Sequence, residues 1–94
     1  MLYLNSDSPV EIQQSLAATV KLKRKQGKLS RAALAEKSTV PAPTIKKFET
    51  TGQISLRQFI LLWQCVDDLD KLTQLTKTQA FSEPQSIAEV LNDQ

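Results

Sequence analysis

Apolar residues in this chain recur mostly three and four positions apart, the spacing of one face of a helix. Ser8-Pro9-Val10-Glu11 opens the first such stretch. Serine followed three residues later by glutamate is a capping box, and proline suits the first helical position, where its missing N–H loses no helical partner. Ile12, Leu16, Ala17 and Val20 then share one face, which predicts a helix to about Gln26 with that face in the core. Gly27 is expected to close it in the left-handed conformation. Ser30 is the next N-cap candidate. It precedes a helix ending near Lys37, with Ala33, Leu34 and either Ala32 or Ala35 inward.

Ser38-Thr39-Val40 reads as a turn, and Pro41-Ala42-Pro43 starts a third helix that runs to about Thr50 and buries Ile45 and Phe48. A proline pushes the residue before it out of the α region, so this helix is expected to begin at Pro43, displacing Ala42. After a loop at Thr50-Thr51-Gly52-Gln53, Ser55 caps a fourth helix with an apolar stripe of Leu56, Phe59, Ile60, Trp63 and Val66. Asp67 or Asp68 is placed to cap a short fifth helix with Leu69, Leu72 and Leu75 inward. Thr76 to Gln85 reads as a linker, and Ser86-Ile87-Ala88-Glu89 repeats the capping signature before Val90-Leu91. Only Leu2-Tyr3-Leu4 has a trace of strand alternation. The expectation is an all-α fold of five helices over 8–75, with an N-terminal extension at 1–7 and a linker and short helix at 76–94.

Ninety-four residues make one domain near the lower end of what buries a self-sufficient core, a size at which dimerisation often adds stability. No run of about 18 apolar residues spans a membrane. The start, MLYLNSDSP, lacks the basic and apolar regions of a signal peptide. One cysteine, Cys65, cannot form an internal disulfide, so a reducing cytoplasm is expected, with Cys65 a small buried apolar residue. There is no histidine, which leaves no zinc-ligand pattern. The two glycines cannot build a phosphate loop, and no spacing pairs a nucleophile with a base. Neither an enzyme nor a cofactor is expected.

Charge changes this picture. Between Lys21 and Arg57 lie ten basic residues against two acids, Glu36 and Glu49, a net of +8; the remainder has two lysines against eight acids, a net of −6. The chain's formal +2 hides this segregation. One-sided basic charge on a small helical unit points to a polyanion. Lys21, Lys23, Lys25 and Lys28 could also be a solvated helix end, where cations suit the dipole. Trp63 continues the apolar stripe of the fourth helix and is expected in the core. Phe81, Ile87, Val90 and Leu91 have too little chain around them for a core of their own, and are expected to fold back or dock on a partner.

The stretch Leu29 to Glu49 reads L-S-x-x-x-L-A-x-K followed by V-x-x-x-T-I-x-x-F-E. This pattern resembles the Xre/Cro-type, lambda-repressor-like helix-turn-helix family over roughly residues 12 to 75. The downstream GQISLRQFILLWQCVDDLDKL narrows the likeness to the HipB-like antitoxins paired with HipA-like kinase toxins. The resemblance implies an antitoxin and autorepressor that binds a palindromic double-stranded operator as a homodimer and complexes a HipA-like kinase, whole or split.

It also implies residue roles. Arg31 falls where the family contacts phosphate or an edge base, and Thr44 is placed for a phosphate. Lys46 and Lys47 face the major groove, Lys47 toward guanine O6 or N7. Ala42 and Pro43 offer apolar contact only, and Lys28 and Arg57 lie by the DNA backbone. Arg24 and Glu49 match an internal ion pair. The sequence departs from the family at Thr39 and Lys28, where glycine is usual. The alternatives are a stand-alone repressor of the same type, separated by the neighbouring gene, and a protein-interaction module that binds no DNA, separated by the salt dependence of binding.

Overall fold

The computed structural model describes residues 8–77, and over these the chain is all-helical. Five helices follow in order: α1 (Pro9–Gln26), α2 (Arg31–Ser38), α3 (Ala42–Thr51), α4 (Leu56–Val66) and α5 (Asp70–Thr73), then a 3-10 turn at Gln74–Thr76. The extension at 1–7 and the expected C-terminal helix with Phe81, Ile87, Val90 and Leu91 lie outside the described residues.

Three of the helices start on a serine whose side chain takes over an orphan backbone donor. Ser8 accepts from the Glu11 N–H and Glu11 reaches back to the Ser8 N–H, completing the capping box of α1. Ser30 caps α2 through the Ala33 N–H, and Ser55 caps α4 through the Gln58 N–H. Asp68, next to the nominal N-cap of α5, accepts from the Asp70 N–H. Helix α3 has no side-chain cap; it begins on Pro41, with Pro43 inside the first turn. The expected start at Pro43 is therefore corrected to Ala42. Pro41 and Pro43 have no N–H to satisfy, so the uncapped start leaves fewer orphan donors than an ordinary one.

The core joins Ala17 and Val20 of α1, Leu34 of α2, Val40 of the turn, Ile45 and Phe48 of α3, and Phe59, Leu62 and Trp63 of α4. Helices α1 and α2 each pack on both α3 and α4. Phe48 and Phe59 meet edge to face at 6.0 Å, and Phe59 and Trp63 lie 5.9 Å apart, so three rings run down the middle of the core. The Trp63 indole N–H donates to the Asp68 carbonyl at 3.0 Å, which satisfies the one polar atom of that buried ring.

Several apolar positions expected inside are outside. Ile12 and Leu16 are exposed because burial on α1 begins only at Ala17. On α4 the buried line is Phe59, Leu62 and Trp63, while Leu56 is 74 % exposed and Ile60 also faces out. That helix is apolar at eight of its eleven positions, so the stripe marked Phe59 and Trp63 but not its edges: Leu62 joins the core while Leu56 and Ile60 stay out. Of Leu69, Leu72 and Leu75, only Leu72 packs on the core; α5 is too short to turn all three toward it. Cys65 is half-buried against the core.

Two connections rest on unusual backbone. Gly27 is not left-handed (φ −83°); the left-handed residue is Lys28 (φ 58°). The Leu29 N–H returns to the Arg24 carbonyl at 3.0 Å, and the chain must reverse at Lys28 to make that bond. In the α2–α3 turn, Thr39 is left-handed (φ 68°) and its N–H bonds the Ala35 carbonyl. Buried Ser38 holds this turn by accepting from the Val40 N–H at 3.0 Å. Gly52 (φ 83°) ends α3 against Gln13 of α1, where an added Cβ would lie 3.1 Å from the Gln13 backbone.

Lys28→Gly and Thr39→Gly should therefore raise the urea midpoint, or at least leave it unchanged, since left-handed backbone costs a side-chain-bearing residue ~1 kcal/mol. Gly52→Ala should lower stability by about 1–2 kcal/mol, from left-handed strain plus the contact with Gln13. A destabilised Thr39→Gly alongside an unaffected Gly52→Ala would show that these backbone angles do not govern stability.

Candidate nucleic-acid interface

The α2–α3 pair presents the basic residues, and its geometry is set by a carboxylate. Glu49, in the last turns of α3, is 1 % exposed at its side chain. Arg24 from α1 grips it with two hydrogen bonds, Nε to Oε2 at 2.7 Å and Nη2 to Oε1 at 3.0 Å, and sends Nη1 to the Leu29 carbonyl at 2.9 Å. Arg31 from the first turn of α2 adds Nε to Oε1 at 3.0 Å. One acid thus ties three helices together. Burial by itself would raise the Glu49 carboxyl; hydrogen bonds from Arg24 and Arg31, with their charges, outweigh it and hold the group below the usual carboxylate range.

Arg31 is therefore partly committed inside the protein, with its side chain 37 % exposed and its Nε on Glu49. Arg24, expected in an internal ion pair, is 6 % exposed and faces no solvent. Lys23 is drawn away from the basic face. Its Nζ lies 2.7 Å from Asp67 Oδ2 and 5.8 Å from the Trp63 ring centroid, and Lys71 reaches the same Asp67 oxygen at 3.1 Å. Hydrogen bonds from Lys23, from the Asp68 N–H and from Lys71 hold the Asp67 carboxyl well below its ordinary range.

What remains outward is more limited than the sequence count implied. Lys46 and Lys47 are both exposed on α3, and Lys28 is exposed at the α1–α2 corner. Pro43, Thr44 and Lys47 line a shallow groove together with Gln53, Ile54 and Gln58, from the α3–α4 loop and the first turn of α4. Ala42 is half-buried, so its methyl group is only partly presented. Arg57 is exposed but lines a different, apolar groove with Leu56, Ile60 and Leu61. Gln53 and Gln58 were not among the sequence candidates. Neither has charge or periodicity to mark it, and only the fold brings both beside Lys47.

Among the described residues no three His, Cys, Asp or Glu side chains gather as a metal site, and no helix is long and apolar enough to cross a membrane. The chain matches no family model, no curated protein and no solved structure. The all-helical, five-helix class stands on the structure.

Replacing Glu49 with glutamine should cost about 3 kcal/mol or more, because it leaves Arg24 buried without its counter-charge. The sign of the pH effect follows from the lowered folded pKa. The Glu49 contribution is fully present above the unfolded value near 4.5 and is lost as pH falls through the lower folded one. Urea midpoints measured from pH 7 downward should fall on entering that range, and Glu49→Gln should remove part of the fall. An acid response identical in the two chains would refute the assignment.

Proposed function

We propose that the chain is a DNA-binding repressor that inserts α3 into the major groove of a palindromic operator as a dimer, and that it serves as the antitoxin of a HipA-like kinase. The observation that carries the reading is the outward surface of α3. Its one acid, Glu49, is turned inward and neutralised by two arginines, so Lys46 and Lys47 stand exposed with no acid beside them on that helix. A helix cleared of negative charge, joined by a tight turn to a second helix that braces it, suits a phosphate-lined groove.

Within this reading Lys47 reads a base edge, with Thr44 and the Gln53 and Gln58 amides beside it to reach base or phosphate. Lys46, Lys28 and Arg57 supply phosphate contacts. Arg31 acts mainly as a brace for Glu49 and reaches phosphate with what its Nε leaves free. Ala42 and Pro43 add apolar contact at most, so specificity leans on Lys47, the two glutamines and DNA shape. The antitoxin assignment rests on the sequence resemblance, and the apolar face on α4 is surface a protein partner could use.

The test uses the DNA immediately upstream of the gene, against a shuffled fragment of equal length. Lys47→Ala should weaken upstream-fragment binding by about 1–3 kcal/mol and narrow the margin over the shuffled one. Lys46→Ala should weaken both fragments alike and lower the salt slope by about one. Affinity that does not fall between low and moderate salt would overturn the DNA reading. Co-purification with a kinase encoded beside the gene would distinguish the antitoxin from a stand-alone repressor.

A further inference from the structure

The Gln58 side chain has a hydrogen-bond acceptor and a donor, and the fold commits one of them. Gln58 is the third residue of α4, after the N-cap Ser55. The Ser55 hydroxyl oxygen accepts from the Gln58 N–H at 3.1 Å, and the hydroxyl donates to Gln58 Oε1 at 3.2 Å. The amide oxygen is thus turned back onto the start of its own helix. The positive end of the helix dipole lies there, which favours an oxygen over an NH2 group. Glu11 makes the same turn at α1, where its carboxylate accepts from the Ser8 N–H at 3.5 Å.

The NH2 group of Gln58 makes no hydrogen bond among the described residues, and the half-buried side chain lines the α3–α4 groove with Lys47 and Thr44. That groove, about 390 Å³ in volume, has one cation and no acid along its walls. A glutamate at this helix position would complete the cap as well, as Glu11 does at α1, but would set a negative charge beside Lys47. Glutamine keeps the cap and leaves the groove without an acid.

We infer that Gln58 enters the groove as a hydrogen-bond donor only, held that way by Ser55, so that the groove takes acceptor groups of DNA: a phosphate oxygen, or O6 and N7 of guanine. A glutamine free at both ends reads adenine, accepting from N6 and donating to N7. Here Oε1 is already engaged, so that pairing is lost, and cytosine, which offers a donor at N4, is mismatched as well. Lys47 is also a donor without an acceptor, so side chains from two helices make the same demand on the ligand. Ser55 acts through Gln58 and is a positioning residue. The inference rests on the DNA-binding reading and adds which groups this groove accepts.

The orientation is tested on the full chain without DNA. Gln58→Glu, which can only accept, should keep the urea midpoint or raise it. A lowered midpoint would mean that the NH2 group faces the cap, and would overturn the inference. With the fragment from upstream of the gene, Gln58→Met should weaken binding about tenfold, the size of one hydrogen bond to a charged or strongly polar group. Ser55→Gly, a change that costs a helix start little, should weaken binding in the same direction, and Ser55→Thr should restore it. Single methylphosphonates and 7-deazaguanines are then scanned along the fragment. Gln58→Met should lose its sensitivity at one position, at a methylphosphonate if the groove holds phosphate and at a 7-deazaguanine if it holds a base. Sensitivity lost at no position, or at an adenine stripped of its N6 group, overturns the inference. Equal affinity of Gln58→Met and the natural chain sinks this inference alone, whereas a chain that binds no DNA sinks the DNA-binding reading and this inference with it.

Discussion

The buried carboxylate of Glu49 is the constraint on which the rest of the arrangement depends. It accepts from Arg24 of α1 and Arg31 of α2 while belonging to α3, so the three helices cannot shift independently without breaking a charge-assisted bond. Arg24 makes a further bond to the Leu29 carbonyl, in the connection between α1 and α2. An ion pair of this kind is not a large net source of stability, because desolvation offsets most of its attraction. Its effect is on specificity of geometry: α3 has one place to lie, and a wrong placement leaves charge buried and unpaired.

The backbone cooperates with that constraint at its two most strained points. Lys28 and Thr39 adopt left-handed conformations that glycine would take more readily, and each makes a return hydrogen bond or sits beside one. Ser38 beneath the second turn accepts from the Val40 N–H through its hydroxyl oxygen, and Val40 is itself core. The turn between α2 and α3 is thus held from below by packing, while Glu49 ties the far ends of the two helices together through Arg31. At the far end of α1, Lys23 and Lys71 converge on Asp67 and fasten the helix to the α4–α5 corner. Cations that look alike in the sequence therefore divide into those that brace the domain and those that face outward.

Among the described residues, two surfaces are left without an internal role. One is the polar, cationic side of α3 with Gln53 and Gln58 beside it; the other is the apolar outer side of α4. They differ in kind. The first has the chemistry for a polyanion, the second for another apolar surface.

The sequence by itself determined the helices, because caps and apolar spacing act locally: Ser8, Ser30 and Ser55 each satisfy a donor within three residues, whatever the tertiary fold. It determined the central core residues Val20, Leu34, Ile45, Phe48 and Phe59, where period and hydrophobicity agree. It also marked Arg24 and Glu49 through the resemblance to a helix-turn-helix pattern. On α4 the apolar stripe already marked Phe59 and Trp63, and tertiary structure decided its edges, since packing against α1 and α2 brought Leu62 in and left Leu56 and Ile60 outside. It decided that Lys28 and not Gly27 turns the chain, because the bond from Leu29 to Arg24 sets the reversal. It decided how the basic charge is shared out as well. A formal charge is a property of a residue, but whether it is free for a ligand depends on which acid the fold brings within reach, and Glu49 and Asp67 claim Arg24, Lys23 and part of Arg31 while leaving Lys46 and Lys47 exposed.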